Sequence, residues 1–283
     1  MFNFLHTFNP QAILLQVGPL AVHWYAFLMI VGGLLGFALV LQLVKRYKME
    51  KNIFSDLLFY WVVGAIIGAR IYYVIYAWEL YRDNWVDVFK IWEGGLAVHG
   101  IMIGGFLTTW IYCKIKKQNF WQMSDLLVTG FVAAQVIGRV GNYFNQEIFG
   151  KPTDLPWGIP IEAGNRPEQF MDSTYFHPTF LYESMGSLFI LGILLLLHKF
   201  RLKNEKRVAG NVFLIYIALY SVQRFLLEFL RIDFSPLVFG VRWAQLFSVI
   251  LFIGALSVLA VRNAWGGRFC ELLREKVYKV IKL

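Results

Sequence analysis

The 283-residue chain is 58% hydrophobic and only 16% charged, with a mean hydropathy of +0.55, which excludes an ordinary soluble domain and indicates an integral membrane protein. Its net charge of +9 includes no basic patch interleaved with aromatics, so nucleic acid is not an expected partner. Two cysteines, Cys113 and Cys270, are too few for a disulfide framework, and neither has the surroundings of a nucleophile.

The first 16 residues contain no Lys or Arg, so they lack the charged start of a cleavable signal peptide and are expected at the interface, with His6 a surface residue. Seven stretches come close to the ~20 apolar residues that cross a bilayer: roughly 18–44, 55–78, 94–113, 124–143, 180–198, 208–230 and 241–261. All are expected as helices, giving an all-α polytopic membrane protein with 1–283 as a single integral membrane domain and no internal repeat. The loop at about 144–179, rich in Pro, Gly and polar residues, is expected to fold as a small cap. His198, closing the fifth span, is expected at the surface. In the tail, Phe269, Leu272, Leu273, Val277, Val280 and Ile281 fall at helical intervals between basic residues, predicting an interfacial helix over 264–283.

Lys and Arg set the sidedness, because cytoplasmic loops accumulate them. The segments after the first, third, fifth and seventh spans hold 18 of the 27, the alternate segments six, and the spans themselves Arg70, Arg139 and Arg224. The N-terminus is therefore expected outside, the C-terminus in the cytoplasm, and the cap on the periplasmic or extracellular face.

A charge inside a span costs something like 2.5–3.5 kcal/mol on insertion scales, so such residues have partners or a function. Arg70, Arg139 and Arg224 fall in the outer halves of their spans. His23, Tyr25, His99, His177 and Glu183 fall at or near the outer ends of theirs. In "YSVQRFLLEFLR", Tyr220, Arg224, Glu228 and Arg231 recur at steps of four, four and three on one helical face. That face reads either as an anion site, with Glu228 orienting two guanidiniums, or as an interhelical salt-bridge ladder. Gln135, Arg139 and Asn142 share a face of the fourth span, beside Gly138 and Gly141. His99, among the glycines of "EGGLAVHGIMIGG", suits a general base near neutral pH or a hydrogen-bonded packing residue. Arg70 suits substrate contact or snorkelling to the interface. His23 and Trp24 fit an aromatic belt. No metal-ligand cluster, nucleophile elbow or phosphate loop is present, so a reaction without metal or cofactor is the simpler expectation.

The stretch "GRVGNYFNQEIFG" at residues 138–150 resembles the signature of bacterial prolipoprotein diacylglyceryl transferases. The resemblance covers nearly the whole chain, through "VGPLAVHWYAF", "GARIYYV", "WEGGLAVHG", "HPTFLYE" and "YSVQRFLLEFLR" in that order. Ile101 departs from it, where the family repeats glycine after His-Gly. The resemblance implies transfer of diacylglyceryl from phosphatidylglycerol to the lipobox cysteine of a prolipoprotein signal peptide, with a thioether formed and glycerol phosphate released. It implies a site at the outer face of the bacterial inner membrane. Its essential arginines fall on Arg139 and Arg224 and its essential histidine on His99. Its important tyrosine, asparagine and glutamate positions fall on Tyr25, Asn142, Glu147, Tyr220 and Glu228. Arg70, Asn145 and Arg231 complete the expected substrate-binding set. A lipid or organic-anion carrier with an arginine-lined cavity is the competing class, opposed by the one-sided depth of the polar groups.

Overall fold

The computed structural model describes residues 2–18, 20–203, 208–233 and 235–281, with side-chain surroundings for 5–18, 21–203, 208–233 and 235–264. Its helices in chain order are α1 (Phe2–Thr7), α2 (Trp24–Arg46), α3 (Lys51–Tyr76), α4 (Val98–Ile115), α5 (Phe120–Phe144), α6 (Thr179–Lys203), α7 (Asn211–Leu227) and α8 (Trp243–Ile281). Three antiparallel two-stranded hairpins accompany them: β1 (Ile13–Val17) with β2 (Leu20–His23), β3 (Ile159–Pro160) with β4 (Tyr175–Phe176), and β5 (Leu237–Val238) with β6 (Val241–Arg242).

The chain is an all-α polytopic membrane protein, with the hairpins confined to connections between helices. Among the described residues, five helices are long and apolar enough to cross a membrane by length and composition: α2, α3, α5, α6 and the Trp243–Ala264 part of α8. The expected third and sixth spans are shorter than predicted, α4 at 18 residues and α7 at 17. Local backbone chemistry explains both. Gly94 and Gly95 take φ 93° and 76°, conformations that glycine tolerates and a helix does not, so α4 starts only at Val98. At the other, α7 stops at Leu227 and the chain turns into an isolated bridge between Arg231 and Gly150. The first span is likewise displaced, because Leu20–His23 is the second strand of a hairpin, Gly18 takes φ 59° and helix begins at Trp24. The 264–283 interfacial helix expected from the sequence rests on side chains that lie outside the described residues.

The helices divide into two compact units, Met1–Val40 with Leu127–Leu283, and Leu41–Leu126. In the larger unit, Val128, Val132, Ile190, Leu194 and Val212 form an apolar core from α5, α6 and α7. Further along α5, Tyr143 joins Phe149, Ile159, Ile161, Phe176 and Phe180 in a second core within the 144–179 segment and the start of α6, with Leu5 and Phe8 packed on it. His6 is part of that packing and not a free surface residue: its ring stacks on Tyr175 at 3.8 Å and its Nδ1 lies 3.0 Å from the Gly158 carbonyl oxygen. His198 is also buried, 2.9 Å from Thr129 Oγ1.

In the smaller unit, α3 and α4 meet through glycines four apart on each helix, Gly64 and Gly68 against Gly100 and Gly104. A Cβ on Gly68 would lie 2.5 Å from the Gly100 carbonyl oxygen, so the backbones touch. Two of the glycines near His99 therefore serve helix packing.

Candidate active site

Four arginines and three carboxylates gather in the larger unit, where α5 and α7 end, α6 begins and β6 leads into α8. Glu183, in the first turns of α6, accepts Arg139 Nε from α5 at 2.7 Å and Arg231 Nη1 at 2.8 Å. Glu228, just beyond α7, forms ion pairs with Arg224 Nη1 at 2.5 Å and with Arg242 Nε from β6 at 2.7 Å. Arg231 also pairs with Asp233 through Nε at 2.8 Å and through Nη2. Arg242 Nη1 donates to the Arg231 carbonyl at 2.7 Å, which joins the two halves of the network. Arg139 and Arg224 therefore belong to one continuous chain of contacts.

Burial makes this arrangement necessary. Glu183 is 4% exposed and Glu228 1%, and a lone carboxylate so placed would be strongly destabilised. Each is instead held between two guanidiniums. Burial works against the charge on Arg231, but Asp233, Glu183 and Glu228 more than offset it and raise its pKa above the usual value. Four cations against three anions leave a net positive charge.

The guanidiniums differ in what they have left to offer. Every side-chain nitrogen of Arg231 and Arg242 is engaged with a carboxylate or a backbone carbonyl. Arg139 commits only Nε, and Arg224 only Nη1, to partners among the described residues. Their side chains are 23% and 25% exposed, so the remaining N–H groups can reach a ligand. A planar guanidinium with free N–H groups is suited to a phosphate, which it can grip with two parallel bonds.

The turn after α5 brings three expected residues together. Asn145 Nδ2 donates to Glu147 Oε1 at 3.0 Å, Asn142 Nδ2 lies 3.5 Å from Glu147 Oε2, and Glu147 N donates to the Asn142 carbonyl at 2.9 Å. Gln146 and Ile148 on either side of Glu147 take φ 51° and 53°, a left-handed conformation that non-glycine residues adopt at a cost. Gln146 is fixed there by Asn9, by the Glu162 backbone N–H and by Asn165. At the end of the stretch, Gly150 pairs with Arg231, and a Cβ on it would lie 2.8 Å from the Leu230 carbonyl oxygen. The segment that follows α5 is thus tied to the residues after α7. Tyr25 is half-buried against Gly141, where a Cβ would come within 3.1 Å of its ring, and Tyr220 stacks on Tyr216 at 5.7 Å.

Some expectations change. The Arg224–Glu228–Arg231 face forms bridges between elements: Glu228 pairs with Arg224 as expected but takes Arg242, not Arg231, as its second partner, while Arg231 turns to Glu183 and Asp233. The helical periodicity behind that expectation ends at Leu227. Arg70, in the smaller unit, is buried, with its donors engaged by backbone carbonyls. All five of its N–H groups go to the carbonyls of Val88, Asp87, Lys90, Gly94 and Gly95, and Tyr81 lies under its guanidinium at 5.2 Å. It clamps the 3-10-rich connection between α3 and α4. His99, in the same unit, is exposed at the head of α4 with its ring stacked on Tyr72 at 5.6 Å. Arg242 and Asp233 were not singled out by the sequence. The signal available was Arg242 at the very start of the last expected span, a charge where the apolar run should begin.

Comparison with known proteins follows the same lines. Residues 12–261 match the family model described as prolipoprotein diacylglyceryl transferase. The chain is 40% identical to the phosphatidylglycerol–prolipoprotein diacylglyceryl transferase of Nostoc sp., over 92% of this chain and 93% of the relative. It is 39% identical to that of Halalkalibacterium halodurans (90% and 87%) and 43% identical to that of Synechococcus sp. (80% and 81%).

Proposed function

The chain belongs to the prolipoprotein diacylglyceryl transferase family, and from that membership we infer that it moves diacylglyceryl from phosphatidylglycerol to the lipobox cysteine of a prolipoprotein. The cysteine sulfur attacks the glycerol carbon that bears the phosphate. The carbon–oxygen bond breaks, a thioether forms, and the phosphoester leaves as glycerol phosphate carrying the new negative charge. The thiol gives up its proton, because thiolate is the nucleophile.

The observation that carries the assignment of roles is the unequal use of four arginines. Arg231 and Arg242 are spent on holding Glu183 and Glu228, whereas Arg139 and Arg224 keep N–H groups that have no partner among the described residues. We assign Arg139 and Arg224 to the departing phosphate. Fixed donors in a water-poor site stabilise charge that grows during the reaction without having to reorganise. Glu183 and Glu228 hold the two guanidiniums in place. Asn142, Asn145 and Glu147, tied to one another beside Arg139, together with Tyr25 and Tyr220, form the polar and aromatic wall against which the lipid lies. His99 is assigned to the thiol proton, supported by its exposed ring at the start of α4. Arg70 takes no part in substrate binding in this reading and shapes the connection before His99.

The same reading sets seven crossings, with α4 and α7 completing the five longer helices. Their ~27 and ~26 Å of helix fall just short of a ~30 Å hydrocarbon core. The split of 18 against six cationic residues supports an N-terminus outside, a cytoplasmic C-terminus and a site facing the outer leaflet of the bacterial inner membrane.

Purified protein incubated with phosphatidylglycerol and a lipobox peptide tests the reaction. The expected outcome is a thioether-linked diacylglyceryl peptide, with glycerol phosphate released in equal amount. Lipid moved between leaflets without a thioether product would establish a carrier instead.

A further inference from the structure

Beside the ion pairs, three buried polar atoms of α5, α6 and α7 have no hydrogen-bond partner among the described residues: Gln135 Oε1, Ser187 Oγ and Gln223 Oε1. Gln135 stands four residues before Arg139 and Ser187 four after Glu183. The 2.7 Å pairing of Arg139 with Glu183, and the 2.7 Å bond from Ser184 Oγ to the Val136 carbonyl, fix the register that puts them on the same rung. Gln223 comes from α7, beside Arg224. Its Nε2 donates to the Glu183 carbonyl at 2.9 Å, which leaves the amide oxygen as the open end, and its side chain lies against Gly186, where a Cβ would meet it at 2.7 Å.

Ser187 behaves unlike the other buried helical hydroxyls of this chain. Ser124, Ser221, Ser248 and Thr109 each donate to the carbonyl four residues back, the usual way to satisfy such a group in a helix. Ser187, only 1% exposed, makes no such bond. Two amide oxygens and one hydroxyl therefore await donors in a place shielded from solvent, and an unmade bond there is costly.

The geometry points to a subsite for vicinal hydroxyl groups: Gln135, Ser187 and Gln223 read the terminal glycerol diol of the phosphatidylglycerol headgroup while its phosphate sits on Arg139 and Arg224. A diol supplies two donors to the two amide oxygens and can exchange a third bond with Ser187 Oγ. The three-carbon headgroup is commensurate with the ~5.4 Å turn between the arginines and the rung. The subsite rests on the transferase reading and adds to it the residues that select the lipid.

The test compares phosphatidylglycerol with phosphatidylpropanol of the same acyl chains, which keeps the phosphodiester and lacks both hydroxyls. Thioether formation on a lipobox peptide is measured for the full-length protein and for Gln135→Met/Ser187→Ala. The parent is expected to favour phosphatidylglycerol in kcat/KM by at least roughly tenfold, since sites built to bond a hydroxyl reject analogues without one. In the double variant the value for phosphatidylglycerol falls, mainly through KM, that for phosphatidylpropanol holds, and the preference collapses towards one. A parent that does not discriminate, or a variant that keeps the parental preference, overturns the subsite. A parent that makes no thioether from either lipid overturns the transferase reading itself. Should the variant lose activity on both lipids alike, thermal shifts with short-chain forms decide. Greater stabilisation of the parent by the diol lipid, absent from Ser187→Ala, supports the subsite, and equal shifts in the parent refute it.

Discussion

Arg139→Ala and Arg224→Ala are each expected to abolish diacylglyceryl transfer, by at least about 10²–10³-fold, the cost of removing a fixed donor from a growing anion. Both variants should still insert and fold. Removing Arg139 leaves Glu183 paired with Arg231, and removing Arg224 leaves Glu228 paired with Arg242, so neither buried carboxylate is orphaned. Lysine should not rescue either position. Its point charge can replace the ion pair but not a fork that holds a carboxylate with one edge and a phosphate with the other. Thioether formation in membranes, normalised to the amount of inserted protein, gives the comparison. Normal transfer by Arg139→Lys would show that charge alone suffices.

Glu228→Ala is expected to be more damaging to the fold than either arginine change. Its carboxylate is 1% exposed and neutralises Arg224 and Arg242 together, so its loss leaves two guanidiniums facing each other without an anion. Breaking a buried pair in this way costs ~3–5 kcal/mol. Glu228→Gln, which keeps the shape and an acceptor oxygen, should cost less in stability while still losing the orientation of Arg224 and most of the activity. Thermal denaturation in detergent, run beside the transfer assay, separates the two effects. A Glu228→Ala protein with parental stability would mean that water or lipid headgroups already neutralise these arginines.

What the sequence disclosed was governed by depth and periodicity. Arg139, Arg224 and Glu183 stood out because charge is expensive inside a span, and they lie in one network. Asn142, Asn145 and Glu147 stood out as a polar run where a helix should stay apolar, and they bond to one another. Partner choice was not legible. A helical wheel pairs Glu228 with Arg231 only while the helix lasts, and α7 ends one residue before Glu228. Arg242 was hidden as one more loop cation, because the hairpin that turns it back onto Glu228 is four residues of strand around Phe239 and Gly240. The acceptors of Arg70 were invisible for a different reason: they are backbone carbonyls, which every residue type carries alike. The hairpin before the first span was obscured because its strands are as apolar as the helix that follows.

The most direct test is an experimental structure of the protein with phosphatidylglycerol bound, read at the phosphate. Oxygens of one phosphate should lie about 2.7–2.9 Å from N–H groups of both Arg139 and Arg224, with Glu183 and Glu228 still holding the opposite edges of those guanidiniums. A phosphate seated on other residues, with Arg139 and Arg224 engaged only by their carboxylates, would contradict the assignment.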